Sequence, residues 1–392
     1  MLVAAVLAPL PGSAAAQGID TTCQFALTRL DASTTNVLAV DTNAVYWGGT
    51  YAALPGTRIR IEGQYPHARY FSWNLYDSAA RPTDALSDFE LTPSPGGGYT
   101  AFIEVGEPPA NPAPNTLYTG ESRGGTFLYR VYVPDRGQDA KGGVPLPKVS
   151  FEQAGGTGGT PGLPACGELQ APYAWQLNDL VAEAPPAPDP TADGNGFPGR
   201  NPPRWRLFQN FCASAVDIML DNEDGEGFHP DAYERCGDGP GFFSNGDIAY
   251  VFTGTSRGFG EVLSIRARAP RRRALRYWSF CQYEPASQRV ISCRRDSQVK
   301  VGPRRFYKLV ISTPQSRPRN ARRACGVTWM PWGPQTQGLL IYRHMLPRRS
   351  FRQAIQNVAK PGDEQRVMRR LYPRGRYHAD AGAFEKRGCR RG

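Results

Sequence analysis

Gly254-Thr255-Ser256-Arg257-Gly258 fits G-x-S-x-G, the pattern of a serine-hydrolase nucleophile elbow. That chemistry needs a strand, a strained turn and a helix, so that the serine stands clear beside an oxyanion hole. Here another strand-like stretch follows, and Ser256 aligns with Tyr51 of an upstream repeat, so an ordinary β-turn is the better reading. The four histidines, His67, His229, His344 and His378, have neither H-E-x-x-H nor finger spacing, and no metal or cofactor is expected. His344 falls within a strand, where a hydrogen-bonded structural histidine is expected. Asp221, Glu223, Asp224, Glu226, His229 and Asp231 make an oxygen-rich loop. Its glycine falls at the fifth place and the late bidentate glutamate of an EF-hand is absent, which favours a solvated loop over a calcium site. Asp77 and Glu284 hold matching positions after two strands, as turn-forming acids do. Whether any carboxylates pair for glycosidase chemistry is a matter of their separation in the fold.

Residues suited to binding are more numerous. Arg69 and Arg276 recur at one repeat position, and Arg130 and Arg343 at another. Such arginines either hold anionic ligands by bidentate hydrogen bonds or tie strand ends through ion pairs. Trp329 and Trp332, in Val327-Thr328-Trp329-Met330-Pro331-Trp332-Gly333, either stack on sugar rings or cap a core. Arg271, Arg272 and Arg273 precede a strand and would steer an anion toward it. The candidate ligand-binding set is therefore Arg271, Arg272, Arg273, Arg276, Trp329, Trp332 and Arg343. Charge supports an anionic partner: residues 1–199 hold 10 basic against 19 acidic side chains, and residues 200–392 hold 36 against 16. The basic second half fits an envelope polymer or glycan; attraction between the two halves is the plainer reading, and nucleic acid is not expected.

The elements that position these residues are strands. Arg276-Tyr277-Trp278-Ser279-Phe280-Cys281-Gln282-Tyr283-Glu284 has a weaker copy in Arg69-Tyr70-Phe71-Ser72-Trp73-Asn74-Leu75-Tyr76-Asp77. Alternating aromatic and polar residues suit a half-buried strand, because successive side chains point to opposite faces. Other stretches repeat in the same order: Ala44–Thr50 with Tyr250–Thr255, Arg58–Glu62 with Leu263–Arg266, and Leu128–Pro134 with Ile341–Pro347. A duplication that keeps its strand order predicts two tandem jelly-roll-like β-sandwich domains with short linking and C-terminal helices. The 43 glycines and 36 prolines agree with many short strands joined by tight turns.

Domain limits follow from composition. Residues 1–16, ending Ala14-Ala15-Ala16 before Gln17, read as a signal peptide without its basic start. The first sandwich is placed at 17–153, including a strand over Phe89–Leu91. A linker with a short helix, Gly-rich at 154–164 but without the Gly-Lys-Ser/Thr of a phosphate loop, covers 154–203. A helix from Trp205 to Leu220 and the acidic loop fill 204–247. The second sandwich takes 248–375, with helices over Ser350–Ala359 and Asp363–Leu371, the latter capped by Asp363. A basic tail completes 376–392. Eight cysteines, none in C-x-x-C, point to an oxidising compartment. Cys281 with Cys293, on neighbouring strands, is the preferred first bridge. Cys23 with Cys166, Cys212 with Cys236 and Cys325 with Cys389 would complete the set, although spacing alone does not decide connectivity. No stretch after the signal is long and apolar enough to cross a bilayer.

Arg276-Tyr277-Trp278-Ser279, Trp329-Met330-Pro331-Trp332-Gly333-Pro334 and Leu340-Ile341-Tyr342-Arg343 to Pro347 together resemble a family of exported bacterial proteins of unknown function. The resemblance covers residues 44–151 and 248–375, and Asn115-Thr116-Leu117-Tyr118 stands where the first repeat lacks the Trp loop. It implies jelly-roll sandwiches and carries over no catalytic residue. The expectation is an exported, secreted or periplasmic binding protein for an anionic or glycan ligand. The alternative is an extracellular hydrolase or lyase acting on polysaccharide or ester.

Overall fold

The computed structural model describes residues 27–36, 39–52, 56–153, 168–170, 199–208, 243–285 and 288–389. The first half forms β1 (Leu27–Leu30), β2 (Ala44–Ala52), β3 (Thr57–Gln64), β4 (Ala68–Asp77), β5 (Pro82–Ser87), β6 (Gly98–Glu104), β7 (Thr116–Tyr118), β8 (Gly124–Pro134), β9 (Lys148–Gln153) and β10 (Glu168–Gln170). The second forms β11 (Arg206–Leu207), β12 (Ile248–Ser256), β13 (Val262–Arg268), β14 (Leu275–Tyr283), β15 (Val290–Arg295), β16 (Phe306–Ser312), β17 (Thr328–Pro331) and β18 (Gln337–Pro347). Helix α1 (Glu364–Met368), strand β19 (Arg374–His378) and helix α2 (Ala381–Glu385) follow. Four sheets result: β10-β1-β2-β8-β4-β5 with β7-β6-β3-β9, and β11-β12-β18-β14-β15 with β17-β16-β13-β19. Apart from β10 the orders correspond strand for strand, including the parallel pairs β6–β7 and β16–β17. The protein is all-β, two sandwich units built on one plan, as the repeats indicate.

Period-2 alternation explains each core. In β3, Ile59 and Ile61 point inward while Arg58, Arg60 and Glu62 point out. In β4 the inward set is Phe71, Trp73 and Leu75, packed with Tyr99, Phe127, Tyr129 and Val131. In β14 it is Trp278 and Phe280, packed with Tyr307, Leu309, Leu340 and Tyr342. The two cores differ at one polar contact. Trp73 Nε1 donates to Tyr99 Oη at 3.0 Å in the first. Phe280 stands in Trp73's place in the second, stacked on Tyr342 at 4.1 Å.

Several expectations need correction. The start of the Trp205–Leu220 helix is not helical: Arg206–Leu207 is an edge strand on β12, and Trp205 inserts its ring beside Phe280 at 5.8 Å, while the stretch from 209 onward lies outside the described residues. Phe89–Leu91 is a turn after β5, and the Trp329 segment is a strand rather than a loop. Asp363 makes no cap bond and pairs with Arg366 instead. Ser350–Ala359 holds only a 3-10 turn at Ile355–Asn357. The region assigned to the basic tail contributes the end of β19 and then α2. The signal region, the 172–184 helix, the acidic loop, and the bridges of Cys23 with Cys166 and Cys212 with Cys236 lie outside the described residues. Cys281–Cys293 and Cys325–Cys389 are both bridged.

Candidate functional site

The repeated nine-residue stretches form a seam where the two sandwiches meet. The faces of β4 and β14 turned away from their own cores are also buried: Tyr70, Tyr132, Tyr277 and Met345 share one cluster across the seam. The contacts are reciprocal, as a local two-fold would make them. Arg69 reaches across to Asp296 at 2.7 Å, and Arg276 forks onto Asp88 with its Nη1 at 2.8 Å. Tyr70 donates to Asp247 at 2.6 Å, and Tyr277 to Asp41 at 2.7 Å. Arg130 donates to the carbonyl of Phe243 at 2.9 Å, and Arg343 to that of Ala39 at 2.8 Å. Each lead-in segment, 39–43 or 243–247, thus lies on the partner sandwich before entering its own sheet.

Arg276 also donates from Nε to the Arg69 carbonyl at 2.8 Å, so the two ion pairs sit side by side. Burial pushes the Asp88 carboxyl above its ordinary range, and Arg276 pulls it part of the way back. Beside them opens a groove of about 550 Å³, lined by Arg69, Phe89, Arg273, Leu275, Arg276, Asp296, Leu346, Pro347 and Arg348. Of its four arginines, Arg69 is paired with Asp296 and Arg276 with Asp88, which leaves Arg273 and Arg348 as the excess. Phe89 is 58% exposed and supplies an apolar wall. Arg273 is held on a tight turn with φ of 66°, its backbone in the left-handed region.

The structure thus brings Arg273 and Arg276 together with Arg69 and Arg348. Arg271 and Arg272 lie exposed on the same turn. Arg343 is elsewhere: it is fully enclosed in the seam, with Nη2 also bonded to the Tyr283 hydroxyl at 2.5 Å. Trp332 is 3% exposed and belongs to the second core. Trp329 is half-buried, with Arg317 over its ring at 4.3 Å. Phe89 and Arg348 carry no repeat or motif signal; Arg348 lies in a basic stretch, whereas Phe89 sits between Asp88 and Glu90 and nothing in the sequence marks it.

Ser256 is buried and accepts a hydrogen bond from the Gly258 N–H, closing a 3-10 turn that leads into β13. No elbow exists there. Ser264 Oγ lies 2.9 Å from His378 Nε2, a serine–histidine contact. Burial and the nearby Arg387, Arg376 and Lys308 depress His378 to about 4, and among the described residues no carboxylate orients it. His344 is buried, accepts from the Ile355 N–H at 3.2 Å, and is depressed by burial to about 3. Asp41 lies near the Cys281–Cys293 bridge, where the sulfurs are committed to each other.

No family model and no curated protein sequence matches the chain. A solved structure of an uncharacterized protein from Burkholderia cenocepacia is similar over 89% of this chain and 81% of its own, with 13% identity and a TM-score of 0.51. A protein from Vibrio parahaemolyticus is similar over 87% and 90%, with 10% identity and a TM-score of 0.41. The first likeness is one of fold alone. Among the described residues no helix is long and apolar enough to cross a membrane.

Proposed function

We propose that the protein is an exported, non-catalytic binding protein of the cell envelope that takes an anionic ligand in the groove between its sandwiches. The observation that carries this reading is the excess of arginine in that groove. Arg69 and Arg276 are already oriented by Asp296 and Asp88, which lowers the entropy lost when they add a ligand contact. Arg273 and Arg348 are exposed and present forks suited to carboxylate or phosphate. Phe89 gives the ligand's body an apolar surface, so an organic anion, such as an acidic sugar or a phosphate ester, fits better than a bare ion. The disulfides are compatible with export.

The test is binding of the purified protein to an array of anionic envelope saccharides and phosphate esters at low and high salt, with product analysis on the same samples. Arg273→Ala/Arg348→Ala should weaken retention at least tenfold and flatten its salt dependence. Chemical turnover of any bound compound would instead favour the hydrolase or lyase alternative.

A further inference from the structure

The sheet β7-β6-β3-β9 and its counterpart β17-β16-β13-β19 each turn one face away from the core. The equivalent registers allow these faces to be compared residue by residue. In the first, Arg58 pairs with Glu104 and Glu152, and Arg60 with Glu62 and Glu152, so basic and acidic side chains alternate across three strands. In the second, Arg266 stands at the position of Glu62, His378 at that of Glu152 and Ser312 at that of Glu104. Arg266 is directly opposite Lys308 on one side and Arg374 on the other. Arg376 and Arg268 flank that row. Arg266, Arg374 and Arg376 are exposed, and among the described residues none of the three forms an ion pair.

Like charges set directly opposite across strands destabilise a sheet. Arg266 set opposite Arg374, with Arg376 beside them, where the sister domain has a neutral ladder, costs stability and calls for a compensating anion. Nearby, burial together with Arg268 and Arg271 holds Arg305 below its ordinary range. We infer that this outer sheet face of the second sandwich is a docking surface for a linear anionic polysaccharide. The inference needs the groove reading only in the sign of the ligand's charge.

Neighbouring strands lie about 4.8 Å apart, so the row offers cations at short, regular steps. A polysaccharide with a carboxylate on each sugar presents its charges in the same one-dimensional way. The aromatic rings at this face each lie under a cation: half-buried Phe306 under Arg266 at 4.4 Å, buried Phe384 under Lys308 at 5.7 Å and half-buried Trp329 under Arg317 at 4.3 Å. With a cation already over each ring, the face favours a charged chain over the base stacking that single-stranded nucleic acid uses or the apolar insertion that a bilayer requires.

The experiment titrates the full chain with polygalacturonate at low and moderate salt. Neutral dextran, oligo-dT and anionic phospholipid vesicles serve as competing probes, and phenyl phosphate as the groove probe. Arg266→Glu/Arg374→Glu should bind polygalacturonate at least tenfold more weakly, with a shallower salt slope. The paired alanine variant, if the glutamates misfold, should show a smaller loss in the same direction. Unchanged binding in a folded variant, equal binding of dextran, or preference for oligo-dT or vesicles would overturn the inference. Phenyl phosphate binding retained by the face variant supports two separate sites. If phenyl phosphate binds neither form, the groove reading fails while the polysaccharide result stands.

Discussion

On the first sandwich Arg58 lies between Glu104 and Glu152 on an outer sheet face, with Glu62 further along the same strand; in the second, Arg266 stands at the position of Glu62 and lies between Lys308 and Arg374. The strand order is the same, so backbone architecture does not account for the difference. Duplicated domains keep the inward alternation that builds their cores, because a changed inward residue leaves a cavity or a clash. Outward positions carry no such constraint and are free to acquire charge. The seam shows a third behaviour: outward residues there are matched in pairs, because each must complement the other domain.

The largest expected effect breaks that matching. Asp41 accepts the Tyr277 and Ser279 hydroxyls, both at 2.7 Å and all buried. Asp41→Ala leaves two buried hydroxyls without an acceptor, at about 1–3 kcal/mol each. Urea unfolding should show a loss of several kcal/mol and separated transitions for the two sandwiches. Asp247→Ala, which strips Tyr70 and Ser87, should act in the same way. A loss under about 1 kcal/mol in both would mean that the seam contributes little.

Acid should separate the two sandwiches next. His344 occupies an inward position of β18 where β8 carries Val131. Its folded pKa of about 3 lies below the unfolded value of 6.5, so folding favours the neutral ring. The associated stability is present above pH 6.5 and is lost as pH falls toward 3, by a few kcal/mol at about 1.4 kcal/mol per unit. Core fluorescence should report the second sandwich opening first. His344→Val should shrink this acid dependence to the part that His378 contributes, while lowering stability at neutral pH by orphaning the Ile355 N–H. An unchanged pH profile in that variant would assign the sensitivity elsewhere.

The smallest effect comes from copying charge between faces. Glu62→Arg breaks an exposed pair with Arg60, worth roughly 0.2–1 kcal/mol. It should nevertheless raise polygalacturonate affinity several-fold by making the first face resemble the second. No gain would show that net charge alone does not make the docking surface.

Much of the fold was legible in the sequence because it is local and periodic. Ile59 and Ile61 alternate with charges, and the Arg276–Glu284 stretch repeats Arg69–Asp77, so strand identity and duplication needed only the chain. The β19 strand was not legible. Arg374-Gly375-Arg376-Tyr377-His378 offers little apolar signal, and Gly375 is required because Pro203, distant in sequence, packs where a side chain would stand. Nor could alternation show that Tyr70, Ser72 and Tyr76 are buried, since a polar outward face normally meets water. Their burial depends on a second domain covering them. Composition and spacing determined two β-sandwiches, a basic second half and the cysteines able to bridge. Tertiary structure alone decided that Arg343 is sealed in the seam, that Trp332 fills a core, and that Arg69, Arg273, Arg276 and Arg348 share one groove. Strand patterns depend on neighbours one or two residues apart, whereas a groove between domains depends on residues brought together from more than two hundred positions away.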